Sequence, residues 1–361
     1  MFFYPNLGIR ALRCALHRNA GFPFQMPYKL TFSCTYSCNS RCATCNIWKR
    51  YLRDPKNKDA EMTLDEIDGF FKKLGGSLLW LSLTGGEPFL RDDLPEIISS
   101  ASRHCAHLSL VSLNTNGLET DRILSSVEKI LSANKKKKII VVVSHDSSKE
   151  LYDRIRGVRG AYMSAQRTID SLVLLQERFG NLRVGREITI GDYNVNSDLS
   201  VSAARSKEIP YATIFSFVDD ADYYQLENKD SVTNDADYIP AIDKLIRANS
   251  IRTPEDIITR VFYKQARKYF LGRRDEMPPC YSSWASVFID PYGNVKPCLK
   301  MESLGNIREH DMDLRQVLES EEFKSVRRKI RKGSCPGCWT PCEAFQTIAQ
   351  NLPFHIADII R

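Results

Sequence analysis

Six short apolar runs recur along the chain, each followed by a segment of helical pattern. They are YKLTFSC from Tyr28, LLWLSLTGG from Leu78, HLSLVSLNTNG from His107, KIIVVVSHD from Lys138, RVGREITIG from Arg183 and ATIFSFV from Ala212. Several are rich in Val, Ile and Leu without clean alternation, the pattern of strands covered on both faces. Between the first two, Thr63 and Glu66 have capping-box spacing and open a helix. Between the fourth and fifth, AYMSAQRTIDSLVLLQERFG predicts a helix stopped by Gly180. Alternating β and α implies a parallel sheet with right-handed crossovers. Six such units are too few for a closed eight-fold barrel and suit a partial, TIM-like (β/α)6 barrel in the α/β class.

The pattern changes after Cys280. SVFIDPYGNVKPC predicts a hairpin turning at Asp290–Asn294, and LRQVLESEEFKSVRRKIRK predicts one helix. The cysteine-rich CPGCWTPCEA follows. The expected divisions are a basic N-terminal arm at 1–27, a core at 28–225, a helical connector at 226–274 and a small cysteine-rich domain at 275–361. In the arm, Ile9, Leu12 and Leu16 fall on one helical face and the arginines on another.

Composition narrows the classes. The 361 residues are 43% hydrophobic and 26% charged, ordinary for a globular chain. A net charge of +7 suits an anionic substrate or cofactor, and no nucleic-acid partner is expected. No apolar run approaches the roughly 18 residues of a membrane span. Arg10, Arg13 and Arg18 interrupt the N-terminus, so no secretory signal is expected and a cytoplasmic location is. Weak membrane-surface contact through residues 1–20 is a further expectation. Clustered cysteines in such a chain indicate metal ligation rather than disulfides.

Eight of the 11 cysteines fall into two sets. The first, in TYSCNSRCATCNIW, is Cys38, Cys42 and Cys45, spaced C-x3-C-x2-C. A structural zinc wants four N or S ligands, and an iron–sulfur cube with only electron transfer to perform takes four thiolates. Three thiolates leave one iron open to a substrate or cofactor. This motif, in the loop after the first strand, resembles the signature of the radical S-adenosylmethionine (SAM) superfamily. The resemblance implies a [4Fe-4S] cluster on Cys38, Cys42 and Cys45. SAM would chelate the fourth iron and be cleaved by one electron to a 5′-deoxyadenosyl radical that abstracts hydrogen from substrate. A one-electron reductant such as flavodoxin or ferredoxin is then implied.

Further motifs are similar to that family. LTGGEPFL places Gly85, Gly86, Glu87 and Pro88 at the end of the second strand, where the family binds the SAM amino group and where glycines let backbone approach a ligand. NTNG ends the third run, and the resemblance implies that Asn114 and Asn116 lie beside SAM. In SHDSSKELYDRIR, Ser144 and Arg156 have the spacing of a SAM carboxylate site, for which a guanidinium fork is suited, and Asp146 is a ribose neighbour. Thr44 stands where the family often has an aromatic residue before the last cysteine. The fifth run lies where the family contacts adenine through backbone, near Val184 and Ile188.

The second set is Cys280, Cys298, Cys335, Cys338 and Cys342, with Gly293 inside a C-x12-G-x4-C pattern. It resembles the SPASM and twitch extensions that hold auxiliary clusters. Five cysteines imply one auxiliary [4Fe-4S] cluster, with Cys280, Cys298, Cys335 and Cys338 as the twitch-like set and Cys342 as a spare or a replacement.

The resemblance leaves the substrate open. Residues 1–27 are fewer than the leader-gripping domain of many peptide-modifying relatives, so a small anionic, sugar-like or lipid-linked metabolite is expected ahead of a peptide. Asp290 is a candidate base for deprotonating the substrate. A peptide or protein maturase is the alternative, and a zinc-stabilised binding protein the non-enzymatic one.

Overall fold

The computed structural model describes residues 3–20, 22–146, 148–196, 212–218, 221–224, 237–249, 251, 254–351 and 355. The start of the expected connector, residues 226–236, lies outside them. All six apolar runs are strands: β1 Lys29–Thr35, β2 Trp80–Gly85, β3 Leu110–Thr115, β4 Lys138–Ser144, β5 Leu182–Ile190 and β6 Ala212–Phe217. Each pairs in parallel with the next. The fold is thus α/β, a partial parallel barrel.

Helices α1 Phe3–Ala20, α2 Arg50–Arg53, α3 Leu64–Leu74, α4 Leu94–His104, α5 Thr120–Ala133, α6 Lys149–Arg156 and α7 Ala161–Arg178 accompany the first five strands. Helices α8 Tyr238–Ala248 and α9 Pro254–Phe270 follow β6. The Thr63–Glu66 capping box forms, satisfying two otherwise orphaned N–H groups. Its Glu66 also receives a bidentate pair from Arg308 at 2.7 and 2.8 Å, tying the C-terminal segment to α3.

The sheet does not end at β1. Strand β7, Ser286–Ile289, pairs in parallel with β1, and β8, Val295–Lys296, folds back antiparallel to it. The full order is β6-β5-β4-β3-β2-β1-β7-β8. The expected hairpin therefore extends the barrel's own sheet. Val287 and Ile289 join Leu30 and Phe32 in the core beneath the outer helices.

Alternation on β1 then gives a polar lumen. Lys29, Thr31 and Ser33 share the inward face. Lys29 donates to Gln346 Oε1 at 3.0 Å, and Tyr223 donates to Ser33 Oγ at 3.3 Å. Helix α12, Pro341–Gln350, lies at this end of β1, where Lys29 also donates to the Cys342 carbonyl. Ser286 of β7 donates to Glu343 of the same helix at 2.6 Å.

Two sequence expectations fail locally. The predicted long C-terminal helix is two, α10 Leu314–Leu318 and α11 Glu321–Arg331. Ser320 breaks it, because its side chain accepts from Phe323 N as an N-cap. Helix α1 packs through a different face from the one expected. Ile9 and Leu12 are 56% and 61% exposed, whereas Cys14 and Arg18 are buried. The Arg18 guanidinium stacks 4.9 Å from the Tyr281 ring centre and 5.3 Å from that of Trp284. Aromatic faces accept an arginine where an aliphatic stripe was anticipated.

Candidate functional site

The cysteine loop leaves the C-terminal end of β1 and is held from two sides. On one side, Gly86 N donates to Thr35 O and Glu87 N to Ser37 O, both at 2.7 Å. A Cβ on Gly85 would meet Thr35 O at 2.2 Å, and one on Gly86 would meet Ser37 O at 2.2 Å. The close approach that requires glycine is to the cysteine loop itself, a role the sequence reading assigned to a ligand. On the other side, Arg41 N donates to Arg156 O at 2.9 Å, and Ala43 N to Ile155 O at 2.8 Å. Gly157, in the left-handed region at φ 63°, permits this contact, since a Cβ there would meet Arg41 O at 2.5 Å.

These straps bring the three thiols together. Ser40 Oγ lies 3.1 Å from Cys42 Sγ, Asn116 Nδ2 donates to Cys38 Sγ at 3.9 Å, and Arg156 Nη1 to Cys42 Sγ at 3.6 Å. Burial pushes the Cys38 thiol up to about 12 and Cys45 higher still. A cationic iron centre offsets that cost by binding the thiolates. Among the described residues, no three His, Cys, Asp or Glu side chains converge closely enough to hold a single metal ion.

Arg156 is paired with Asp146, whose other oxygen accepts from Thr189 N at 3.0 Å. Burial opposes the charge of Arg156, but Asp146, Tyr152 and Cys42 together hold its pKa well above the usual value. Its Nε is buried with no partner, a donor left for a ligand oxygen. Ser144 ends β4 beside Glu187 of β5. Thr44, Asp146, Thr189, Gly191 and Asn194 line a small gap at this edge. Val184 and Ile188 point the other way, into the hydrophobic cores. His145 is stacked on Tyr152, and burial, then Arg186, lowers it to about 4.

Glu87 and Asn116 are largely engaged by protein. Glu87 accepts from Thr115 Oγ1, Phe89 N and Asn116 N at 2.9, 3.2 and 2.7 Å. Burial pushes it up to about 7 against those donors. Asn116 Nδ2 also reaches Asn39 Oδ1 at 2.8 Å, fastening the cysteine loop to the end of β3. Pro88 begins a buried turn after Glu87, and Asn114 stands half-exposed on β3.

Cys280, Cys298, Cys335 and Cys338 line one cavity of about 330 Å³, together with Arg18, Lys300 and Arg331. Burial pushes Cys280 and Cys298 up to about 12. Cys342 does not line that cavity. Its side chain packs against the group of Tyr36, Ile47, Tyr223, Phe288 and Leu299, as does that of Cys45. Asp290 lies in the β7–β8 turn. Its Oδ1 accepts from Tyr292 N and Asn294 N, and its Oδ2 from Asn294 Nδ2 at 2.9 Å and Tyr36 OH at 3.4 Å.

Sequence reasoning missed Lys29, Glu187 and Glu343. A charged residue opening an apolar strand was the available signal for Lys29.

The radical SAM superfamily model matches residues 32–196, and an iron–sulfur cluster-binding domain model, SPASM, matches residues 280–339. The chain thus carries a radical SAM domain followed by a SPASM domain. Its cofactors are accordingly SAM, the [4Fe-4S] cluster that binds it, and auxiliary iron–sulfur in the SPASM region. The antilisterial bacteriocin subtilosin biosynthesis protein AlbA of Bacillus subtilis (strain 168) is 27% identical over 315 residues, 84% of this chain. The chain spans 62% of that relative's length. Among solved structures, anSMEcpe with bound AdoMet and Cp18Cys peptide has a TM-score of 0.60 at 16% identity, over 93% of this chain and 98% of that one. SuiB of Streptococcus suis bound to precursor peptide SuiA has a TM-score of 0.51 at 16% identity, over 88% and 70%. At these identities the solved structures show the fold. No helix among the described residues is long and apolar enough to cross a membrane.

Proposed function

We propose that this chain is a radical SAM enzyme acting on a peptide or protein. The observation that carries the chemistry is the cysteine loop strapped to Arg156, whose guanidinium donates to Cys42 Sγ at 3.6 Å and keeps a buried Nε with no partner. When bound, the SAM-ligated cluster supplies the electron that cleaves the sulfonium to a 5′-deoxyadenosyl radical. The chain's own residues bind and orient. Cys38, Cys42 and Cys45 hold the cluster. Arg156 and Ser144 take the SAM carboxylate, Asp146 the ribose side, and the Gly85–Pro88 turn with Asn114 and Asn116 the amino side. Asp290 takes a proton from the substrate, its long hydrogen bond from Tyr36 being the one that substrate displaces. A one-electron donor of the flavodoxin or ferredoxin type in the cytoplasm completes the scheme.

Peptide now ranks ahead of the small metabolite expected from sequence. The named relative belongs to bacteriocin biosynthesis, and two structural neighbours are described with bound peptides. Anaerobic incubation of the protein with SAM, dithionite and a peptide fraction from the native host tests this. A SAM-dependent mass change on a peptide is expected. A change confined to small metabolites overturns the peptide reading and restores the other.

A further inference from the structure

The five C-terminal cysteines do not share one environment. Four line the cavity described above, and Cys342 leaves it. Trp339 donates its indole N–H to Phe262 O at 2.8 Å, and Thr340 and Pro341 then open α12. The first turn of that helix sits at the polar lumen, where Lys29 donates to the Cys342 carbonyl. The Cys342 side chain packs against the cluster that contains Tyr36, Tyr223 and Phe288, as does that of Cys45. Both thiols lie close enough to Tyr223 to act on its hydroxyl electrostatically.

A second observation concerns the same lumen. Thr31 is 2% exposed, and its hydroxyl has no partner among the described residues. On β1 it stands between Lys29 and Ser33, whose side chains reach Gln346 and Tyr223. The hydroxyl therefore opens into that lumen. A buried hydroxyl left unpaired costs free energy, so a polar ligand atom is the partner the position lacks.

We propose that Cys342 is a thiol of the reaction lumen, outside the auxiliary cluster, that returns a hydrogen atom to the substrate radical while Thr31 hydrogen-bonds the substrate. The proposal rests on the radical SAM reading above. In the step, the S–H bond breaks and a C–H bond forms, leaving a Cys342 thiyl radical. One electron from a reduced low-potential iron–sulfur cluster, for which the neighbouring four-cysteine cavity is suited, and one proton from solvent restore the thiol. The auxiliary cluster then takes Cys280, Cys298, Cys335 and Cys338.

The test uses the full-length, anaerobically reconstituted protein. Cys342→Ala should keep the parent's iron, about eight atoms for two cubes, whereas Cys338→Ala should lose about four. Iodoacetamide treatment of the unaltered holoprotein should modify Cys342 while the four cavity cysteines stay protected. With SAM, dithionite and the host peptide fraction in D2O, the modified peptide formed by the parent should carry one carbon-bound deuterium, and Cys342→Ala should lower the labelled fraction several-fold. Loss of four irons in Cys342→Ala, protection of Cys342 equal to that of the other four, or an unchanged labelled fraction each overturns the proposal. No SAM cleavage by the parent overturns the underlying reading, and the proposal with it.

Discussion

The Arg41 N–H donates to the Arg156 carbonyl at 2.9 Å, so the cysteine loop and the guanidinium beside it are positioned by one backbone contact. Arg156→Ala is expected to weaken SAM binding about tenfold or more, the loss of a charge-assisted contact worth about 1.5–3 kcal/mol. Iron at the N-terminal site should remain, because the strap uses backbone atoms. Equilibrium dialysis with labelled SAM, alongside iron analysis, measures both. Unchanged affinity would place the carboxylate elsewhere.

Gly86→Ala should empty the N-terminal cluster site. The added Cβ would meet backbone, Ser37 O at 2.2 Å, so the loop must shift. Gly180→Ala serves as the control, since nothing lies within 4 Å of its Cβ position. Iron content after anaerobic reconstitution should fall by about four atoms in the first and stay at the parent level in the second.

Lys29 is 2% exposed and Glu343 is 4% exposed, and each shifts the other's ionisation towards charge against burial. Lys29→Met should cost about 3–5 kcal/mol by leaving Glu343 uncompensated in the lumen. Adding Glu343→Leu should recover a substantial part of it. Thermal unfolding of the two single variants and the double variant checks the sign. An additive loss in the double variant would show that the two residues are not coupled.

His145 supplies a pH prediction. Its folded pKa, lowered from 6.5 to about 4, means that the folded state holds it neutral while the unfolded chain protonates. Its contribution to stability is therefore fully present above pH 6.5 and is lost as pH falls from 6.5 towards 4. His145→Phe should flatten the slope of melting temperature against pH in that window. An unchanged slope would assign the dependence to other groups.

Much of this was legible in the sequence because strand periodicity and motif spacing are local. The six runs, the Thr63–Glu66 cap and the Asp290–Asn294 turn each depend on a few adjacent residues, and each is present. What was not legible depends on partners distant in the chain. The pairing of β7 with β1, the Arg308–Glu66 fork and the seat of Arg18 on Tyr281 join segments separated by more than 200 residues. Ser320 was overlooked for a different reason: a helical pattern continues through it, and only its cap geometry reveals the break. In the site, cysteine spacing separated the two sets but not the two environments within the second, because the path of α12 into the lumen is set by Lys29 and Ser286.

The central claim is that Cys38, Cys42 and Cys45 form the centre at which SAM is cleaved. The most direct measurement is 5′-deoxyadenosine formation by the anaerobic, dithionite-reduced protein supplied with SAM alone. The parent protein should release 5′-deoxyadenosine and methionine, and a variant with all three cysteines replaced by Ala should release none while keeping the iron of its C-terminal site. Cleavage by the triple variant at the parent's rate would contradict the account.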